Sequence, residues 1–142
     1  MLSLDLAQIY KLLISFFLGG FIGLEREVSH KPAGLRTHIL VSLGSTVFTL
    51  LSLSPVFSGS AASSPAIASQ ILTGMGFIGA GVVISSGGHV KGITTAASLW
   101  ATAAVGMAVA LGEYTLALVT TALIILALLA FRFVEKPLVQ KE

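Results

Sequence analysis

The sequence predicts an all-α membrane protein, a polytopic bundle of about five transmembrane helices, and three observations carry that prediction. Residues 37–90, 54 positions in a row, contain no Asp, Glu, Lys or Arg. Only 10% of the 142 residues are charged and 55% are hydrophobic, whereas a soluble domain carries roughly 25% charged residues. Fifteen glycines cluster largely within the apolar segments, a habit of helices that pack closely in lipid. Each charge left out of a membrane helix centre avoids a cost of about 2.5–3.5 kcal/mol. One span needs only about 20 residues, so the uncharged stretch must hold two spans and a turn.

The first span is expected over residues 4–24. Asp5 and Lys11 fall in its first half. They are expected at the interface, with Lys11 snorkelling outward. The segment lacks the basic start and small-residue cleavage site of a secretory signal, so it is expected to stay as a helix. If it lies in the interface instead, four spans remain with the same loops. The second span covers residues 37–53 and ends at Ser54-Pro55, with a Ser, Gly, Ala and Pro loop over residues 58–65. The third covers residues 66–84 and stops at Ser85-Ser86-Gly87-Gly88. The fourth covers residues 94–111, closed by the short turn Gly112-Glu113. The fifth covers residues 114–131 and stops at Arg132, leaving a short charged cytoplasmic tail, residues 132–142. All of this reads as a single transmembrane domain.

The positive charges set the orientation. Arg26, Lys31 and Arg36 fall between the first two spans, Lys91 between the third and fourth, and Arg132, Lys136 and Lys141 after the fifth. Seven of the eight Lys and Arg residues therefore lie on one side, which the positive-inside rule makes cytoplasmic. The N-terminus is expected outside and the C-terminus inside. The same scatter over short loops gives no basic stripe, so nucleic acid is not an expected partner despite the net charge of +2. With no cysteine, disulfides and thiolate chemistry are excluded.

Hydrophobicity does not drive helices together in lipid, so close backbone approach must. Gly19 and Gly23 in the first span, and Gly74, Gly76, Gly79 and Gly81 in the third, are the expected packing residues. The third span is small on more than one side and is expected to be central. In the fourth, Thr95, Ser98, Ala101, Thr102 and Val105 form a weakly polar stripe that leaves Trp100 facing lipid or a partner. The fifth, apolar all round, is expected at the periphery or at a subunit contact. Gly74 to Gly79 matches G-x-G-x-x-G, but a dinucleotide site needs that motif at a strand-to-helix turn with an acidic residue about 20 positions on. Here it is packing.

Two polar segments remain. In the first, Glu25, Arg26, Glu27, Lys31 and Arg36 surround a turn imposed by Pro32 and Gly34. Antiparallel packing of the first two spans would bring Arg36 near Glu25 and Glu27. The plain reading is an ion-pair cluster that fixes depth and register. The functional one is a cation or partner site at the cytoplasmic mouth, because acids contribute little to orientation. In the second segment, Lys91, glycine-rich backbone and the start of the fourth span make either a tight connection or a site for an anion such as a lipid phosphate. His30, His38 and His89 fall on the same side without i, i+4 spacing. The metal is therefore unknown, and only the two glutamates suit Mg²⁺, which prefers oxygen. No cofactor is expected beyond that ion. Spans two to five offer only Ser, Thr and Gln70 as polar groups, where a cation route needs strong oxygen ligands near the midplane. No catalytic grouping is visible, so an enzyme is not expected.

At these loops the chain resembles the MgtC/SapB family of bacterial membrane proteins. The resemblance rests on Gly23-Leu24-Glu25-Arg26-Glu27 followed by Ala33-Gly34-Leu35-Arg36-Thr37. It extends through Gln70-Ile71-Leu72-Thr73-Gly74-Met75-Gly76-Phe77-Ile78-Gly79-Ala80-Gly81 and His89-Val90-Lys91-Gly92-Ile93-Thr94-Thr95-Ala96-Ala97-Ser98-Leu99-Trp100. It implies a multi-pass inner-membrane protein with a hydrophobic domain of about five helices, a role in adaptation to low magnesium and, in some members, survival inside host cells. It implies action on other membrane proteins, the ATP synthase among them, rather than direct transport. Many members carry a soluble C-terminal domain, and this chain ends just after the fifth span. Glu25, Arg26, Glu27, Arg36 and Lys91 are the site candidates carried over, for a partner or a cation. Two functions compete: a non-enzymatic modulator, with a homodimer possible on its small faces, and a cation transporter or channel with Glu25 and Glu27 as its first ligands.

Overall fold

The structure, a computed structural model, describes residues 5–54, 65–86 and 89–138. Among these, five helices and one small hairpin follow in the order α1 (Leu6–Val28), α2 (Leu35–Ser52), α3 (Pro65–Val82), β1 (Ile84–Ser86), β2 (His89–Lys91), α4 (Ile93–Leu111) and α5 (Tyr114–Leu138). Three helices, α1, α2 and α4, are long and apolar enough to cross a membrane. Shorter apolar stretches lie at Ile67–Val82 and Tyr114–Ala130. At 1.5 Å per residue the 23 residues of α1 reach ~34 Å, enough for a hydrocarbon core of about 30 Å.

Several boundaries differ from the sequence reading. No helix breaker follows Leu24 until the Ser29–Gly34 turn, so α1 runs on to Val28 and takes Glu25, Arg26 and Glu27 into its last turn. Arg36 lies inside α2, which starts at Leu35. The third helix stops at Val82 because the chain then pairs as an antiparallel hairpin, with Ile84 opposite Lys91 and Ser86 opposite His89. The fifth continues past Arg132 to Leu138. The expected loop over residues 58–65 lies outside the described residues except for Pro65, which opens α3, and so do the glycines at 87–88 and the last tail residues, 139–142.

The bundle turns a polar face of α2 inward and an apolar surface outward. Every residue buried along α2 is polar: His38, Ser42, Ser45, Thr46, Thr49 and Ser52. Its Leu40, Val47, Phe48 and Leu51 are exposed, as are Phe16, Phe17 and Phe21 on α1 and Leu118, Leu123 and Leu126 on α5. In water such a surface would be costly, but in lipid it is the ground state. Most inner hydroxyls are satisfied by bonding backward to their own helix, while the buried Ser52 Oγ has no partner among the described residues. Thr49 donates to the Ser45 carbonyl, Thr102 to Ser98 and Thr121 to Ala117, each at 2.8 Å.

The helix that packs on all four others is α4. This corrects the expectation that α3 is central. A cluster of Leu18, Ile22, Val105, Val109 and Ala117 joins α1, α4 and α5, while Ile71, Met75, Leu99 and Ala103 join α3 to α4. Ile71 and Met75 of α3 thus face α4, while Leu72, Phe77 and Ile78 are exposed. An added Cβ at Gly74, Gly76 or Gly81 would meet nothing within 4 Å, and one at Gly79 would make ordinary contact with Ala96 Cβ at 3.5 Å. The close approaches are elsewhere. A Cβ at Gly19 would fall 2.7 Å from Ser42 Cβ, and one at Gly23 would fall 2.8 Å from Leu35 Cα. One at Gly106 would fall against the Ser42 carbonyl. These contacts hold α1 and α4 against α2.

At the C-terminus of α4 three of the last four carbonyls are satisfied from outside the helix. Gly112, at φ 84°, turns the chain so that its N–H bonds to Val109 O and the Glu113 N–H to Ala108 O, a Schellman arrangement. Lys11 supplies the next bond, donating from Nζ to Ala110 O at 2.6 Å. The lysine expected to snorkel outward therefore closes the negative end of a neighbouring helix.

Candidate functional site at one end of the bundle

The C-terminus of α1, the N-terminus of α2, the hairpin and the N-terminus of α4 converge at one end. Here α1 carries two acids with separate duties. Glu25 accepts from Arg26 Nε at 2.5 Å and from Ser29 Oγ at 2.7 Å. Its side chain is 7% exposed and that of Arg26 only 3%. Removing one partner of such a buried pair costs more than the pair itself contributes. Glu27 is exposed, and its Oε2 accepts the Leu35 N–H at 3.0 Å. That hydrogen bond caps α2, whose N-cap residue Gly34 has no side chain to do so. A Cβ on Gly34 would collide with the Glu27 carboxylate, so glycine at 34 and glutamate at 27 fit as a pair.

Arg36 does not join this cluster. It is exposed and lies at one end of an apolar groove of about 830 Å³ between α2 and α3, where Gly44, Phe48, Gln70, Gly74 and Met75 also line the wall. The expected approach of Arg36 to Glu25 and Glu27 is replaced by the Arg26–Glu25 pair. The reason is that α1 continues as a helix, so Arg26 reaches Glu25 before the chain turns into α2.

Lys91 and Arg26, distant in sequence, line one polar pocket of about 750 Å³ with His30, Lys31, Gly92 and the first residues of α4. His30 forms part of the turn, at φ 53°. Gly92 stands at φ 93°, and any side chain there would fall on the Val82 carbonyl.

Sequence reasoning missed His38, which it grouped with His30 and His89 on one side of the membrane. The ring is fully buried. Its Nδ1 lies 2.9 Å from the Gly34 carbonyl, and its Nε2 lies 3.1 Å from Ser98 Oγ. A carbonyl only accepts, so Nδ1 carries the proton. The Ser98 hydroxyl, which donates to the Thr95 carbonyl at 2.8 Å, also sits against Nε2, so the contact joins α2 to α4. Deeper in, Ser15 Oγ lies 2.8 Å from Ser42 Oγ, and Thr46 Oγ1 donates within reach of Ser15 Oγ and the Gly106 carbonyl. The signal for both features was the spacing 38, 42, 45, 49, 52, which places one polar stripe on α2. Among the described residues no group of three His, Asp or Glu side chains could hold a metal ion.

Comparison with known proteins now bears on this arrangement. The chain is 44% identical to Protein MgtC of Brucella abortus (strain 2308) over 127 residues, 89% of this chain and 50% of that protein. To Protein MgtC of Salmonella typhimurium (strain LT2) it is 42% identical over 124 residues, 87% of this chain and 52% of that one. The chain thus spans about half the length of these curated relatives. No solved structure matches it. The sequence model of the MgtC family matches residues 12–137, and the chain belongs to that family.

Proposed function

We propose that this chain is a non-enzymatic modulator of other membrane proteins in the bacterial inner membrane. Its N-terminus faces outside and its C-terminus the cytoplasm, and it acts in adaptation to low magnesium. The observation that carries the reading is that both acids at the converging end are committed internally. Glu25 is tied to Arg26 and Ser29, and Glu27 caps α2. A cation route would need those carboxylates as first ligands, and the hydroxyls of Ser15, Ser42, Thr46 and Thr49 behind them are turned onto one another and onto backbone. The magnesium link, a role during infection and action on partners such as the ATP synthase come from the family resemblance. The homodimer draws on the open small faces of α3.

The test is Mg²⁺ flux into sealed liposomes carrying the purified protein, with both an ion gradient and a membrane potential applied. A Glu25→Gln, Glu27→Gln variant runs beside it. The expected result is no flux above empty vesicles from well-folded protein, together with recovery of a membrane partner by affinity purification from native membranes. Flux that the double variant loses would overturn the proposal in favour of a transporter. A reporter at the N-terminus that reads cytoplasmic would overturn the orientation.

A further inference from the structure

We infer that the pocket shared by Arg26, Lys31 and Lys91 binds a phosphate group. Three observations converge there, independently of the modulator reading. First, Arg26 is a guanidinium 3% exposed that lines the pocket. Its Nε is bound to Glu25, and among the described residues no further hydrogen bond to the guanidinium is present. A buried guanidinium with its outer fork unfilled is matched to an oxyanion that accepts two parallel N–H bonds. Second, Lys31 and Lys91 come from segments 60 positions apart and line the same space. Among the described residues no acid lines it, and neither lysine has an ion-pair partner. Third, α4 opens onto the pocket from Gly92 with no side-chain cap and no acid in its first turn. Its first amides and its positive end therefore face the same volume.

Ala127 and Leu128 of α5 also line the pocket and give it an apolar portion. A phosphodiester with an acyl chain would place its headgroup on the cations and its chain along α5. Inorganic phosphate would use the cations and amides alone. The shared chemistry is the phosphate, and the lysines favour a ligand with net negative charge.

The experiment is native mass spectrometry of the full chain in detergent, titrated with phosphatidylglycerol, phosphatidylcholine or inorganic phosphate. A Lys31→Gln, Lys91→Gln variant is measured beside it, with folding checked by circular dichroism. Both lysines are exposed, so this variant is expected to fold. The expected result is preferential binding of phosphatidylglycerol or of phosphate, weakened about 10- to 30-fold in the double variant, as the loss of two near-surface cations implies. Phosphatidylglycerol that inorganic phosphate cannot displace would identify a lipid site; displacement at millimolar phosphate would identify a free-phosphate site. Binding unchanged in the folded double variant would overturn the inference. So would a wild type that binds neither anion better than phosphatidylcholine.

Discussion

The carboxylate of Glu27 reaches forward eight residues to take the Leu35 N–H at 3.0 Å, so the end of one helix caps the start of the next. An acid that looks free in the sequence is thereby a structural element of the turn. Glu27→Ala should cost about 0.5–2 kcal/mol, the range for loss of an N-cap. Glu27→Gln, which keeps an acceptor oxygen, should cost less. Thermal unfolding in detergent checks the order. If glutamine destabilises as much as alanine, the charge and not the hydrogen bond holds the turn.

Glycines should divide into two classes. A methyl at Gly19 or Gly106 meets atoms of α2 closer than any Cβ tolerates. Alanine at either position should cost about 1–3 kcal/mol as an overpacked contact. At Gly76 and Gly81 the same methyl meets nothing within 4 Å. Alanine there should be neutral or stabilise by up to about 1 kcal/mol through helix propensity. Denaturation of the four variants in one detergent settles the division. Loss of partner or self-association in Gly76→Ala without loss of stability would mark that face as an interface.

How much of this was legible follows from which signals are local. The helices were, because an uncharged run of 54 residues has few other homes. Gly19 and Gly23 stood out as small residues inside an apolar segment, where close backbone approach holds helices together. The role of α3 was not. A run of glycines says that a helix can be approached, not that it is. The partner of Glu25 was missed because a cluster of charges does not reveal which two will meet once α1 extends by a turn. His38 was missed because its residue type was weighed alone, apart from the stripe that carries it into the core. The pocket cations come from segments far apart in the chain and meet only when the hairpin folds back toward the α1–α2 turn.

The buried hydroxyls of Ser15, Ser42 and Thr46 form one chain of donors across α1, α2 and α4. Thr46→Val keeps the shape and removes the donor that faces both Ser15 Oγ and the Gly106 carbonyl. It should cost about 1 kcal/mol, the usual net value of a hydrogen bond, or about 0.6 kcal/mol if the membrane average holds. Ser15→Ala in the same background should cost less than it does alone, because its partner is already gone. A double-mutant cycle reads that coupling directly, and strict additivity would show that the two hydroxyls act separately.

Gly92 and Gly112 bracket α4, both with positive φ, 93° and 84°, and their surroundings separate two costs that usually arrive together. At Gly112 a Cβ would meet nothing within 4 Å. Gly112→Ala should therefore show only the backbone penalty, about 1–2 kcal/mol for an L-residue held in the left-handed region. At Gly92 the Cβ would also strike the Val82 carbonyl where α3 leads into the hairpin, so Gly92→Ala should cost clearly more. It should also displace Lys91 from the pocket it shares with Arg26. The chain has no native cysteine, so a single cysteine at position 91 reports on that displacement without background. Its labelling rate should rise in the Gly92→Ala variant and stay unchanged in Gly112→Ala. Equal stability losses with equal labelling rates would mean that the hairpin yields to the added methyl, and that the contact between residue 92 and Val82 does not hold Lys91 in place.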